Sequence, residues 1–571
     1  MHARLLPLSR RPAPACARLA RPAYAARTHA SRTGIGGPAQ LPMDEGDLLA
    51  CDLDLGGGVL LPTTTAPLAS HALGTGAGLW NAGEDLARFL VSLPRAWAAR
   101  QAVLEVGCGV AAAPSRALAA LGGRAVATDR GEGLLGLTRR NAAAGGKASG
   151  GRVAVAALDW AHHGAALAPA LALLGRPPTL LLAADVAYDE AAWPALLATL
   201  AAGAAAGRGE EGEDHPSAPV LLALPARPES AAFLPAAAAA GWAHRTLRTV
   251  PPRDTACVPI AIVQMWLRPD HPADGGGRQT RRAAPYSLLL LDFDWSVVEG
   301  NTDTLAVAAL GSEAQAALNA ATAGGVGWTA AMGAALAAGP AAVAAAGAAG
   351  VGMDSEIKAA LAAAASCPDT AVVVVSDAND ALIAAALGAH GLDGAPDAVI
   401  TNPAGVGEGG CMTVAPFHGG RAEASPPSGG GDAATAQEKE EAPSAWWPAL
   451  PLRTPHACQA CPPNLCKGAV VEALLATARA PPARVLYLGD GANDACPCLR
   501  LAAGGAPGDL VLARRAYPDG RAAPLARALA WQARKGRRAQ GGGARVVEWE
   551  EAGEAGRAMG AWVAGGGNST D

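Results

Sequence analysis

The chain has 571 residues, 51% hydrophobic, 17% charged and only 4% aromatic, with a formal net charge of −5. Its length calls for more than one core, its apolar content excludes a wholly disordered chain, and 71 glycines without a three-residue period exclude collagen. With 45 basic and 50 acidic residues in near balance, no nucleic-acid surface is expected.

Residues 1–43 hold seven arginines (Arg4, Arg10, Arg11, Arg18, Arg21, Arg27, Arg32) and no acid. Such a stretch reads as an organellar transit peptide or as a disordered leader. No apolar core of the secretory kind follows it. The expected setting is intracellular: chloroplast or mitochondrion if the leader is a transit peptide, cytoplasm otherwise. Eleven cysteines, an odd number without framework spacing, point to a reducing compartment. Residues 314–353 carry no charge, but they are mostly Ala and Gly with Pro340 and read as helix and loop, so no membrane span is expected.

Two α/β blocks follow, at about 70–268 and 285–530. In the first, strand-like runs at Ala102–Val106, Ala125–Thr128, Val153–Leu158, Thr179–Ala184, Val220–Leu224 and Cys257–Leu267 alternate with Ala-rich helical segments at 111–121, 131–144, 191–206 and 229–241. That alternation predicts a mostly parallel sheet covered on both faces. Residues 269–284 read as a linker, which is also where two chains would meet if the sequence were a join of neighbouring genes. A low-complexity insertion is expected over 418–452 and a loose Gly-rich tail over 535–571. In the second block, Ser287–Leu291, Ala371–Val375 and Val485–Leu488 are apolar runs that end abruptly in polar residues. Ligands of open α/β sheets sit at the carboxyl ends of strands.

Those ends are rich in acids. Asp292 and Asp294 alternate after the first run, Ser376 and Asp377 follow the second, and Asp490 and Asp494 follow the third, with Lys467 in Asn464-Leu-Cys-Lys467. The set suits phosphoryl transfer. A carboxylate cannot approach a phosphate ester unaided, and Mg2+ held by Asp292 and Asp490 would neutralise the repulsion. Asp292 would attack phosphorus, and Asp294 would exchange protons with leaving group and water. Ser376 and Lys467 would hold the non-bridging oxygens. Asp494 would position the metal or its water, and Asp292, Asp294, Asp490 and Asp494 are together the candidate metal residues. A single aspartate after a strand is more often a helix cap or turn former; the ordered set carries the signal.

This order resembles the haloacid dehalogenase superfamily, and more narrowly its phosphoethanolamine/phosphocholine phosphatases. The matching pieces are Asp292-Phe-Asp-Trp-Ser-Val-Val-Glu-Gly-Asn-Thr-Asp303, Val375-Ser-Asp-Ala-Asn379, Thr401-Asn-Pro403, the segment His456–Lys467 and Tyr487–Pro497. The resemblance implies a doubly wound domain with a helical cap over 304–368, Mg2+-dependent hydrolysis of a small phosphorylated metabolite, and substrate recognition by Asp303 and Asp377. His456, Cys458, Cys461 and Cys466 form H-x-C-x2-C-x4-C. We read them as buried structural thiols rather than a zinc site, because the last spacing matches no standard zinc module.

In the first block, Val103-Leu-Glu-Val-Gly-Cys-Gly109 is a strand running into a Gly-rich turn, and Asp129 ends the next strand. Gly107 and Gly109 let backbone N–H groups approach a ligand, and a carboxylate at Asp129 suits ribose hydroxyls. By themselves these residues fit a dinucleotide or a mere tight turn, although no third glycine completes the dinucleotide fingerprint. With Gly78-Leu-Trp-Asn-Ala-Gly83, Asn141, Leu158-Asp-Trp160 and Ala184-Asp-Val-Ala-Tyr188, the block resembles class I methyltransferases with a Rossmann-like, seven-stranded sheet, in particular protein lysine methyltransferases of the nicotinamide-methyltransferase-like type. The resemblance implies S-adenosyl-L-methionine as cofactor, bound by Trp80, Glu105, Gly107, Gly109, Asp129, Asp159, Trp160 and Asp185. It also implies Tyr188 near a protein methyl acceptor. An inactive scaffold is the other reading of this block.

Overall fold

The computed structural model describes residues 48–66, 74–145, 151–207, 217–255, 257–268, 286–418, 447, 456, 458, 461–534 and 543–565. The leader, the linker and all of the 418–452 insertion except residues 418 and 447 lie outside them.

Strands β1 (Leu49–Asp54) and β2 (Leu60–Thr65) form an antiparallel hairpin. The next seven, β3 (Ala102–Val106), β4 (Arg124–Asp129), β5 (Arg152–Ala157), β6 (Leu180–Ala184), β7 (Val220–Pro225), β8 (Trp242–Val250) and β9 (Ile260–Leu267), build one sheet in the order β5-β4-β3-β6-β7-β9-β8. All pairs are parallel except those of β9 with β7 and β8. β3 and β7 are buried along their whole length, as central parallel strands between helical layers must be. β8 is absent from the apolar runs expected from sequence. Its Arg245 and Arg248 resemble surface positions, yet Arg245 is fully buried. The chain crosses from β3 to β4 on one side and from β5 to β6 on the other, so the ligand crevice lies where β3 and β6 end.

The second sheet is all parallel in the order β12-β11-β10-β15-β16-β17, made of β10 (Ser287–Leu291), β11 (Thr370–Asn379), β12 (Ala398–Asn402), β15 (Arg484–Gly489), β16 (Leu510–Arg514) and β17 (Arg545–Trp549). A small hairpin, β13 (Ala404–Val406) with β14 (Met412–Val414), interrupts the series. Register fixes the site. Leu291 pairs with Val374 on one side and Leu488 on the other, so Asp292, Val375-Ser376 and Gly489-Asp490 lie at one level of the sheet.

Two expectations about the second block need correction. The tail is not loose throughout: β17 completes the sheet, and the helix Ala552–Val563 packs Ala555, Met559 and Trp562 against Ile357, Ala360 and Leu361. The cap is also shorter than 304–368. Helices Thr302–Leu310, Ser312–Ala323, Trp328–Leu336 and Ala341–Ala349 share a small Ala-rich core, whereas Ser355–Ala365 buries its apolar face in the core of the main sheet.

The two halves share a hydrophobic core that joins Leu221 and Ile262 to Leu474 and Leu501. Arg245 of β8 donates to both carboxylate oxygens of Asp509, at 3.0 and 2.8 Å, and to the carbonyl of Pro482. Both charged side chains are fully buried. Gln264 donates to the Leu475 carbonyl at 2.9 Å. Burying a charge is tolerable only when it is paired and hydrogen-bonded, so these bonds show two matched surfaces and not a loose tether. No helix among the described residues is long and apolar enough to cross a membrane.

Candidate active sites

At the carboxyl end of the second sheet, one carboxylate oxygen from each of Asp292, Asp490 and Asp494 lies within 4.8 Å of the others. All three residues are buried. Lys467 is fully buried between them, with Nζ 2.6 Å from Asp292 Oδ1 and 2.8 Å from Asp494 Oδ1. It opens the helix Lys467–Thr477, so the side chain comes from a helix start aimed at the sheet end. Burial opposes its charge, but Asp292, Asp494 and Asp377 outweigh that cost and hold its pKa above the ordinary lysine value. Burial, then repulsion from Asp494, pushes the Asp292 carboxyl well above the usual range. A cluster of hard oxygen donors carrying more negative charge than one lysine balances fits a divalent cation such as Mg2+.

The members have distinct surroundings. Asp494 is saturated: Oδ1 accepts from Lys467 and from the Tyr487 hydroxyl at 2.8 Å, while Oδ2 accepts from the backbone N–H groups of Asp490 and Gly491 at 3.2 and 2.9 Å. It therefore shapes the loop and orients Lys467, and leaves Asp292 and Asp490 as the better-placed cation ligands. Asp490 accepts from Ser296 Oγ at 3.2 Å and from Tyr517 Oη at 2.6 Å. The Asp294 side chain is not in the cluster. Its Oδ1 accepts from the Thr302 N–H and hydroxyl at 3.0 and 2.8 Å. Burial first and Asp303 second raise its pKa well above the usual carboxylate range. Ser376 is fully buried, and its Oγ accepts from the Ala378 N–H at 3.3 Å.

Asp303 and Asp377 stand beside this cluster. Asp303 is buried and accepts from Trp328 Nε1 of the cap at 3.0 Å. Burial, with a contribution from Asp377, pushes its pKa up to about 7. Asp377 also acts electrostatically on Asp292 and Asp294 and raises both pKa values further.

Tyr517, Thr302, Trp328 and Arg514 escaped the sequence reading. Trp295, directly after Asp294, takes a left-handed φ of 60°, which a bulky residue adopts only under constraint. The buried Arg514 donates to its carbonyl at 2.5 Å and stacks on Trp549 at 4.6 Å, fixing the strained turn. No motif announces Arg514 or Tyr517; position at the end of a strand of the active sheet, or just after it, is the one signal they carry.

In the first half, Gly107 has φ 73°, and a Cβ there would lie 2.7 Å from Val186 Cγ1 and 3.2 Å from the Trp160 ring. The turn, the Trp160 ring and the chain after β6 thus converge at the crevice. Asp129 accepts from the N–H groups of Gly109 and Arg130, each at 2.8 Å, and burial raises its pKa. Glu105 is buried and accepts from the Ser115 N–H at 3.0 Å; burial pushes its pKa up to about 7. Trp80 donates to the Thr75 carbonyl at 2.8 Å, and Thr75 Oγ1 lies 3.3 Å from the hydroxyl of the exposed Tyr188. Asp185 has φ 53° and pairs with Arg227 through two bonds of 3.2 and 3.1 Å, a partner the sequence reading missed. Asp159 caps the turn that begins at Trp160 by accepting from the Ala161 N–H at 3.0 Å. Asn141 is a clamp: its amide bonds Thr64 on the hairpin and the Val110 carbonyl on the Gly-rich turn.

Comparison with known proteins matches each half of the chain to a family. Residues 287–563 match the family described as "Putative Phosphatase", and residues 69–206 match the family described as "Lysine methyltransferase". The C-terminal half thus resembles phosphatases of the haloacid dehalogenase type, and the N-terminal half class I methyltransferases. A thiamine phosphate phosphatase-like protein of Arabidopsis thaliana is 33% identical over 147 residues, which are 25% of this chain and 46% of that protein. The probable phosphatase phospho1 of Danio rerio is 32% identical over 155 residues, 26% of this chain and 41% of its own. The phosphoethanolamine/phosphocholine phosphatase of Homo sapiens is 30% identical over 151 residues, again 26% and 41%. The chain spans less than half the length of each of these relatives.

Proposed function

We propose that the chain carries a Mg2+-dependent phosphomonoester hydrolase in its C-terminal half and an S-adenosylmethionine-dependent protein lysine methyltransferase in its N-terminal half. The observation that carries the hydrolase reading is the convergence of Asp292, Asp490 and Asp494 around Lys467.

Mg2+, when bound by Asp292 and Asp490, offsets the repulsion between a carboxylate and a phosphate ester. A carboxylate oxygen of Asp292 attacks phosphorus, forming an aspartyl-phosphate as the ester P–O bond breaks. Asp294, whose raised pKa suits a proton donor, protonates the departing alkoxide; Thr302 holds its Oδ1, so Oδ2 carries the proton. The resulting Asp294 carboxylate takes a proton from the water that attacks phosphorus, which frees Asp292 and phosphate. Lys467 and Ser376 hold the non-bridging oxygens.

Asp303 and Asp377 favour an ester with a cationic head group, of the phosphoethanolamine or phosphocholine kind, over a purely anionic substrate such as pyrophosphate. Phosphate release from phosphoethanolamine, phosphocholine, thiamine phosphate and pyrophosphate, with Mg2+ and with a chelator, tests this. The cationic esters are expected to be the better substrates, and all activity is expected to vanish with chelation. A preference for pyrophosphate would refute the head-group assignment.

In the methyltransferase half, the Gly107–Gly109 turn holds the methionine portion, Asp129 the ribose and Trp160 the adenine. Tyr188 and Asp185 border the acceptor amine. Methyl transfer depends mainly on in-line positioning, which is consistent with so few titratable groups at this crevice. S-adenosylmethionine supplies the methyl group. Calorimetric titration with this donor is expected to show binding, and a folded chain giving no heat would leave a scaffold.

A further inference from the structure

Four cysteines meet at one point behind the carboxylate cluster. Cys458 and Cys461 precede the helix Lys467–Thr477, Cys466 caps it, and Cys496 lies in the first turn of the helix Ala495–Gly504. Their Sγ atoms all lie within 4.8 Å of one another, and Cys458 and Cys496 are 4.0 Å apart. Cys461 and Cys466 are buried and the other two half-buried. All described cysteines are reduced.

This geometry differs from ordinary packing of buried thiols. As small hydrophobes, cysteines gain nothing by turning four sulfurs toward each other. A tetrahedral ion with metal–sulfur bonds of about 2.3 Å places its sulfurs roughly 3.8 Å apart, close to the spacing here. An iron–sulfur cluster would hold them farther apart, around a core of several atoms.

The surroundings are built for thiolates. The Ala469 N–H points at Cys466 Sγ at 3.4 Å, the kind of amide bond that supports a metal-bound sulfur. Gly468 leaves room for the cluster, since a Cβ there would lie 2.4 Å from Cys496 Sγ. The guanidinium groups of Arg248 and Arg500 stand within electrostatic reach of Cys458 and Cys466, and both pair with Glu472. Arg248 comes from β8, so the methyltransferase half supplies part of the positive charge.

We infer that Cys458, Cys461, Cys466 and Cys496 form a closed four-thiolate site for one Zn2+ ion, separate from the Asp292–Asp490–Asp494 cluster. The fourth ligand is Cys496, 30 residues beyond Cys466 in sequence, and not His456, whose Nε2 lies 2.9 Å from the Pro462 carbonyl. That long gap hid the site from its local spacing. Binding exchanges four thiol protons for the ion and moves no electrons. With four protein ligands there is no open coordination position, so the ion is structural. It ties the residue before Lys467 to the residue two beyond Asp494, and so sets the distance between the lysine and the acidic loop. The inference stands on the thiol geometry alone and does not depend on the hydrolase reading.

Elemental analysis of the full chain, dialysed against Mg2+ buffer, tests it. One zinc per chain is expected, released as p-hydroxymercuribenzoate titrates four thiols. The Co2+-loaded chain is expected to show thiolate-to-cobalt charge transfer in the near ultraviolet and intense tetrahedral bands in the red. Cys496→Ser is expected to lose most of the zinc and the zinc-dependent part of thermal stability. Should that variant fail to fold, zinc release coupled to thiol titration and the cobalt spectrum of the unmodified chain still decide. A folded chain without zinc whose four thiols alkylate freely would overturn the assignment, as would disulfides among them or iron in place of zinc.

Discussion

The two halves use the same doubly wound architecture for opposite amounts of chemistry. The phosphatase-like half gathers Asp292, Asp490 and Asp494 at one buried lysine, with Asp294, Asp303 and Asp377 beside them. The methyltransferase-like half offers a glycine turn, a ring and a few capped carboxylates. The proposed reactions explain the contrast. Cleaving a phosphate ester requires a nucleophile, a proton carrier and charge neutralisation, whereas moving a methyl group from a sulfonium needs chiefly alignment. A dense set of mutually repelling acids costs stability unless ions offset it, so the first site should respond strongly to single changes and the second weakly.

The contrast breaks if the largest effect is missing. Asp292→Asn is expected to lower phosphatase turnover by about a thousandfold or more, read in a steady-state assay with Mg2+. Asp303→Asn is expected to cost about 2 kcal/mol, roughly thirtyfold, in kcat/KM for a cationic ester, with much less effect on p-nitrophenyl phosphate. The pH profile sharpens this. Asp303 must be ionised to attract a cation, and its pKa stands at about 7. Specificity for the cationic ester is therefore expected to rise with pH through that value, and the Asn variant to lose the rise.

Smaller effects are expected in the other half. Asp129→Asn is expected to weaken S-adenosylmethionine binding by about 2 kcal/mol, measured by calorimetry. Glu105 gives a stability test. Its folded pKa of about 7 lies above the ordinary 4.5, so the fold favours the protonated acid. That contribution is complete below about pH 4.5 and fades as pH rises through about 7. Glu105→Gln is expected to gain melting temperature relative to the parent chain between about pH 5 and pH 8. An unchanged difference would mean that Glu105 stays charged.

What could be read from sequence followed the same contrast. Asp292, Asp294, Ser376, Asp490 and Asp494 were legible because each lies at or just past the end of a short apolar run, and register brings the strand ends level; Lys467 instead opens a helix. β8 was not legible, because the positions of Arg245 and Arg248 look like surface until Asp509 and Glu472 approach from more than 200 residues away. The same holds for Tyr517 on Asp490 and for Cys496 beside Cys466. The C-terminal strand β17 was hidden by the Gly-rich composition around it. Long-range partners carry no local pattern, so pairing alone reveals them.

Asp292 is the proposed acceptor of the phosphoryl group. The chain should be quenched in acid during turnover of phosphocholine with Mg2+, reduced with borohydride and sequenced by mass spectrometry. Borohydride converts a phosphorylated aspartate to homoserine, and homoserine is expected at position 292. Full turnover with aspartate intact at 292, or homoserine at another position, would contradict the account.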